Sequence, residues 1–313
     1  MNAATIAAAL GDAYREGRAW RCRCPLHGGR SLVIRDGDGG CVLATCWGGC
    51  DRLEILAELR RRGLLGRYVD FAPRITSSRR RADDASRIAR ALKIWRDTQH
   101  GAGSIVERYL ASRGIALYRW PTSLRFHPRC PRPKDDAGNE LPPLPTMVAL
   151  VEHVDRGPVA IHRTFLRPDG SSKADLPKNK QRAGLGPVKG GAVRFGLPSP
   201  GKWHVVGEGV ESTLSVALPC GLSAWAALST SGIESLVLPA TATHVLIAAD
   251  NDANCAGQCA AQDAAHRWLG EGRRVRIAIP HESDSDFNDV LIGRAAAKTR
   301  VAPVIACNGA GQR

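Results

Sequence analysis

The chain has 313 residues, 43% hydrophobic and 24% charged, a balance that suits two or three globular domains and excludes a disordered chain. Lys and Arg number 44 against 30 Asp and Glu, and the formal charge of +14 favours a polyanionic partner, nucleic acid ahead of a membrane surface. The alternative is an arginine-rich proteome in which arginine merely supplies surface charge. Aromatic residues reach only 5%, which argues against extended base-stacking platforms. No apolar run is long enough to span a bilayer, and the opening MNAATIAAALGDAYREG lacks a basic n-region and reads as a short amphipathic helix. A cytoplasmic protein is expected. Its ten cysteines then stay reduced, and clustered ones are expected to hold metal rather than form disulfides.

Two cysteine clusters lie in the first 70 residues. CPLH supplies Cys24 and His27, and CWGGC supplies Cys46 and Cys50, with the hairpin-like stretch SLVIRDGDGGCVLAT between them. Two tight knuckles joined by about eighteen residues match a zinc ribbon, whose ion needs four N/S ligands and keeps no open position. Cys22 is too close to Cys24 to complete an ordinary knuckle, and Cys41 reads as a small buried hydrophobe, although either is an alternative ligand. The helix DRLEILAELRRRGLL follows. PRITSSRRRADD, from Pro73 to Asp84, reads as a polar linker. ASRIARALKIWRDTQ and SIVERYLASRG read as two helices, the second capped at Gly114.

From Leu124 to Phe195 the pattern is one of short strands, with TMVALVEHV and PVAIHRTFL forming a hairpin around Asp155-Arg156-Gly157. The glycine-punctuated basic loop from Lys173 to Lys189 carries Lys173, Lys178, Lys180 and Arg182, which suit nucleotide or template phosphates; a solvated face is the alternative. Arg163 and Thr164 are similar candidates. Arg60 to Arg62 and Arg79 to Arg81 would give non-specific DNA affinity or nothing. From Lys202 to Gly293 strands and helices alternate: WHVVGE, the VESTLSVAL helix, SAWAAL, HVLIAAD, the AGQCAAQDAAHRWLG helix and VRIAIP. That alternation predicts a compact parallel α/β sheet. Cys255 and Cys259, a CxxxC on the last of these helices, read as core, and His244 and His281 as solvated or hydrogen-bonded residues near the acidic edge. Residues after Thr299 read as a fraying tail.

Three apolar runs end in carboxylates. Glu208 follows WHVV, Asp250 and Asp252 follow HVLIA, and Asp286 and Asp289 follow VRIAIP. Buried parallel strands bind ligands beyond their carboxyl ends, so the clusters are expected to converge. A convergence of carboxylates repels itself unless a divalent cation is present.

With Glu208-Gly209-Val210-Glu211-Ser212, Asp250-Asn251-Asp252 and DFND in this order, and CPLH…CWGGC upstream, the chain resembles Toprim-domain DNA primases. The nearest likeness is to the phage- and plasmid-type relatives of DnaG that carry an N-terminal CHC2-like zinc finger. The resemblance covers about residues 20–60 and 100–292. It implies a CHC2-like zinc-binding domain over 1–70, and a basic linker and the start of a helical segment over 71–95. A mixed α+β catalytic subdomain over 96–200, a Rossmann-like parallel Toprim sheet over 201–295 and a flexible tail over 296–313 complete the expected α/β and α+β architecture. It also implies that Glu208 acts as acid/base or metal-linked residue, that Asp250 and Asp252 bind Mg2+ or Mn2+, and that Asp286 and Asp289 complete a second-metal side. Gly209 is expected to permit close backbone approach, and Glu211 either faces the helix dipole or joins the site. The implied partners are single-stranded DNA and ribonucleoside triphosphates. No GxxxxGK[ST] loop occurs, since GLGPVKGG and SPGKW lack the spacing, so a separate replicative helicase is expected. The knuckle Cys46–Cys50 is CxxxC where replicative primases usually have CxxC. A Toprim nuclease or topoisomerase-like enzyme, and a non-catalytic single-strand-binding protein, are the alternatives.

Overall fold

The computed structural model describes residues 2–17, 19–37, 42–48, 50–65, 77–135, 137–253, 255–293 and 299–302, and the chain divides into compact units over 1–82 and 83–313.

In the first unit α1 (Ala3–Leu10) precedes the antiparallel meander β1 (Tyr14–Glu16), β2 (Ala19–Cys22), β3 (Leu32–Asp36) and β4 (Val42–Cys46), and α2 (Arg52–Arg61) closes it. Asn2 caps α1 and Asp51 caps α2, each accepting backbone N–H groups of the first turn. Ile6, Leu32, Ile34, Ile55 and Leu59 are buried together in one small core. A core of this size is marginal alone, which is the usual setting for a structural metal.

The second unit begins within α3 (Ser77–Arg96), followed by β5 (Gln99–His100), α4 (Ile105–Ser112), β6 (Leu124–Cys130), β7 (Leu144–His153), β8 (Gly157–Phe165), β9 (Arg182–Leu185) and β10 (Gly191–Phe195). Then come β11 (Trp203–Gly207), α5 (Val210–Cys220), β12 (Ser223–Ala226), α6 (Thr230–Ser235), β13 (His244–Ala248), α7 (Ala256–Gly270), β14 (Arg274–Pro280), α8 (Phe287–Leu291) and β15 (Thr299–Ala302). One sheet runs β15-β14-β13-β11-β12-β10-β7-β6-β5, with β8 paired to β7 and β9. Its centre, β14-β13-β11-β12, is parallel; β10 joins β12 and β15 joins β14 antiparallel.

Alternation along the strands sorts the core. Val206, Ile247 and Ile277 face α6 and α7 with Trp225 and Trp268, while Val205, Ala224 and Ala248 face α5 and α8. The β7–β8 hairpin forms as predicted. Gly114 ends α4 at φ +69°, with Ile115 N–H bonded to Leu110 O at 2.9 Å, as its cap was expected to do.

Several expectations change. α3 starts at Ser77, inside the stretch read as linker, because arginine and alanine carry helix propensity without apolar periodicity. The basic loop is partly ordered into a 3-10 turn, Lys178–Lys180, and β9. Residues 299–302 of the expected tail pair with β14 as β15. Cys255 and Cys259 are exposed rather than core, because the apolar stripe of α7 runs through Ala260, Ala261, Ala264, Ala265 and Trp268. His244 begins β13, so it sits at the strand end opposite the acidic one, where its ring meets Trp203 at 5.4 Å. His281 does follow the end of β14 and is exposed. Cys41 and the side chains of Arg79 to Arg81 lie outside the described residues.

Candidate active site

β11 and β13 are parallel neighbours with Gly207 opposite Ala248, so the residues that follow them emerge side by side. Glu208 leaves β11 directly. Asp250 and Asp252 leave β13, and Asp286 caps α8 beyond the neighbouring β14. Burial pushes Asp250 up to about 8, and Glu208, Asp286 and Asp252 add to the rise while Arg182 opposes it. Glu208 is raised too, by burial and then by Asp252, again against Arg182. Asp250 Oδ1 is buried without a hydrogen-bond partner. Among the described residues these carboxylates act on one another without their oxygens closing to a shared ligand distance, and a divalent cation would relieve the repulsion and fill the empty acceptor of Asp250.

The other oxygens are partly committed to backbone. Asp252 Oδ2 accepts from Gly257 N–H at 3.2 Å at the start of α7. Asp286 accepts from Asn288 N–H at 2.7 Å and Asp289 N–H at 2.9 Å, and Asp289 accepts from Asp286 N–H at 3.3 Å, which closes a capping box. Asp289 therefore turns toward its own helix start. Asn251, between the two aspartates, is a staple. Its amide donates to Pro280 O at 3.0 Å and Glu282 O at 2.8 Å, and its Oδ1 accepts from Gln258. Gly209 has ordinary extended dihedrals, φ −85° and ψ 154°, so the glycine demanded by close approach is Gly207, where a Cβ would lie 2.4 Å from Thr213 Oγ1.

The basic residues divide. Arg182, exposed at the start of β9, is the cation that acts electrostatically on Glu208 and Asp250. Lys178 and Lys180 are exposed on the preceding turn. Lys173 is committed elsewhere: its Nζ lies 3.0 Å from Glu211 Oε1, which also accepts from the Tyr109 hydroxyl. Glu211 is only 5% exposed. Burial acts to raise it, but Lys173 and Tyr109 outweigh that and hold its carboxyl at about 2. Burial also lowers the half-buried His162 to about 4, so its imidazole is neutral; its Nδ1 has no partner, and Glu211, Arg182 and Lys173 all act on it. Tyr109 and His162 carry no sequence signal for a role here. Arg163 and Thr164 are buried in β8, and Arg61 and Arg62 both pair with Glu58 at 2.7 Å.

In the first unit Cys24, His27, Cys46 and Cys50 bring one ligand atom each within 4.8 Å of one another. Cys24 and Cys50 sulfurs are 3.7 Å apart, against about 3.8 Å for two thiolates on a tetrahedral zinc. Gly48 N–H donates to Cys46 Sγ at 3.3 Å, and a Cβ at Gly48 would lie 2.7 Å from His27 Nε2. The donor set fits zinc. Cys22 is buried in the core, where burial pushes its thiol up to about 11, as suits a bystander.

The family model for the Toprim domain matches residues 204–297, the stretch that holds Glu208, Asp250, Asp252, Asp286 and Asp289. This segment is a Toprim domain. A second model, a domain of unknown function (DUF7146), matches residues 85–195. No curated protein matches the chain. Among solved structures the chain is similar to the Aquifex aeolicus primase, zinc-binding and RNA polymerase domains, at 14% identity and TM-score 0.42, over 94% of this chain and 80% of that one. It is also similar to the DnaG primase catalytic domain bound to single-stranded DNA, at 13% and 0.44 over 69% and 80%. The primase fragment of the bacteriophage T7 primase-helicase aligns at 17% and 0.35 over 59% and 64%. The Toprim sheet and the Cys/His cluster upstream of it stand as the sequence led us to expect. No helix among the described residues is long and apolar enough to cross a membrane.

Proposed function

We propose that the chain is a DNA primase that joins ribonucleoside triphosphates into short primers on single-stranded DNA. The observation that carries this reading is the convergence of Glu208, Asp250, Asp252 and Asp286 at one edge of a Toprim sheet, around a buried oxygen that lacks a partner. Asp250 and Asp252 would hold Mg2+ or Mn2+, with Asp286 on the side of a second ion. When bound, such ions neutralise phosphate charge and orient a 3′-hydroxyl for attack. Glu208, raised by burial, would take up the hydroxyl proton. Arg182 faces the same carboxylates and would clamp the triphosphate, with Lys178 beside it. Lys173 serves indirectly, since it is paired with Glu211 and fixes the segment that leads to Arg182. Zinc in the Cys24, His27, Cys46 and Cys50 cluster would be structural. A separate helicase and a role in replication of a mobile element belong to the same reading.

The test is primer synthesis on single-stranded templates of varied sequence with zinc and magnesium present. Wild-type protein is expected to make metal-dependent ribonucleotide products, and Glu208→Gln and Asp250→Asn to make none. Absence of product on every template, or equal product from Asp250→Asn, would end the proposal. Nicking of supercoiled DNA without primer synthesis would replace it with strand cleavage.

A further inference from the structure

β8 presents alternate residues to opposite faces of the sheet. His162 faces the α4 side with Glu211, whereas Ile161 and Arg163 face α3. On that second face, α3, residues 131–134, residues 140–141 and β9 line an open cavity of 810 Å³, within the range of small-ligand sites. Arg90, Lys93, Arg132, Lys134 and Arg163 line it, against Asp97 and Glu140. Lys134 reaches Glu140 at 4.0 Å, and the other four cations have no ion-pair partner among the described residues.

Arg163 is the most constrained of the set. It is 5% exposed, its Nη1 donates to Pro131 O at 2.7 Å, and its Nε is buried without a partner. Burial weighs most on its charge, the Cys130 side chain offsets part of that, and Arg90 acts on it as a second positive charge. A buried guanidinium beside like charge is costly unless an anion answers it. Ile94, Leu141 and Leu185 supply an apolar wall to the same cavity.

We propose that this cavity is a second nucleotide site, which takes the terminal phosphate of a nucleoside monophosphate group onto Arg163, with Arg90 and Arg132 beside it. A terminal phosphate monoester carries close to two charges and three free oxygens, so it can enter a recess and meet a buried guanidinium. An internal phosphodiester is flanked by sugars and carries one charge, so it cannot reach that group without threading the strand through the cavity. The apolar wall then lies against the nucleoside. Two sources share this chemistry: a free nucleotide and the 5′-phosphate end of a strand. Neither involves the Toprim carboxylates.

The experiment is a set of equilibrium titrations of the full zinc-loaded chain without magnesium, so that the carboxylate centre has no cation to recruit phosphates. The probes are adenosine 5′-monophosphate, a 5′-phosphorylated hexathymidylate, the same oligomer with a 5′-hydroxyl, and inorganic phosphate. Adenosine monophosphate is expected to bind, and Arg163→Gln to abolish the binding. Lys93→Gln/Arg132→Gln, at lining positions outside the strand core, is expected to weaken it about tenfold or more while far-UV circular dichroism stays unchanged. If the phosphorylated oligomer competes, the strand end is also accepted; if it does not, the site is for free nucleotide. Equal binding of the 5′-hydroxyl oligomer, equal competition by inorganic phosphate (an adventitious ion only), or full affinity in the double variant overturns the proposal.

Discussion

Replacing Lys173 with Met tests the claim that this lysine is a structural tie. The change leaves Glu211, 5% exposed, with the Tyr109 hydroxyl and a backbone N–H but no cation paired to it. Removing one partner of a buried ion pair typically costs about 3–5 kcal/mol. Linkage gives a similar figure. Glu211 falls from 4.5 to about 2 on folding, and at about 1.4 kcal/mol per pH unit this is on the order of 3 kcal/mol. Because the folded carboxyl is depressed, that stability is present above pH 4.5 and drains away as pH falls toward 2. In Lys173→Met burial prevails and the carboxyl rises, so the variant should lose about 3 kcal/mol at pH 7.5 and recover part of it by pH 5. The assay is urea unfolding followed by tryptophan fluorescence, since Trp225 and Trp268 are buried in the Toprim core. Lys173→Met/Glu211→Leu should cost less than the two single changes together, with a coupling of about 2 kcal/mol. A cost below about 0.5 kcal/mol for Lys173→Met, or strict additivity of the pair, would refute the buried tie.

Asp250 gives a pH signature of opposite sign: with its carboxyl near 8, a bound cation must displace a proton. Magnesium affinity measured by calorimetry should rise by up to about tenfold per pH unit between about 6 and 8, and a flat profile would contradict the site. Stripping zinc, or Cys46→Ser, should unfold residues 1–65 with a red shift of emission from Trp20, which packs on that core; an unchanged spectrum would show the cluster to be dispensable. A thiol reagent should label the exposed Cys220, Cys255 and Cys259 in the native chain and reach the buried Cys22 and Cys130 only after unfolding, as peptide mass mapping would reveal. Native labelling of Cys22 would count against its place in the core.

The Toprim strands were legible because WHVVG, HVLIA and RVRIAIP are apolar runs of strand length, and each delivers its acid at the carboxyl end. The zinc ligands were legible for a different reason, since two knuckles fix four donors locally. What stayed hidden depends on contacts between distant segments. Tyr109 meets Glu211 across 102 residues, and nothing in SIVERYLASRG points there. Asn251 sat in plain view between two acids, yet nothing in DND tells that its amide holds residues 280–282. Arg163 reads as a candidate for nucleotide or template phosphates, but its burial could not be read, because α3, distant in sequence, covers its face of β8.

The pairing of β10 with β12 has a practical side. Residues 85–195 and 204–297 match separate family models, which invites a cut near residue 200 to make two pieces. Such a cut would strip β12 of its neighbour and leave each fragment with a raw strand edge, open to pairing with any other chain. The segment from 83 to 302 should therefore be expressed, crystallised and diversified as a single piece.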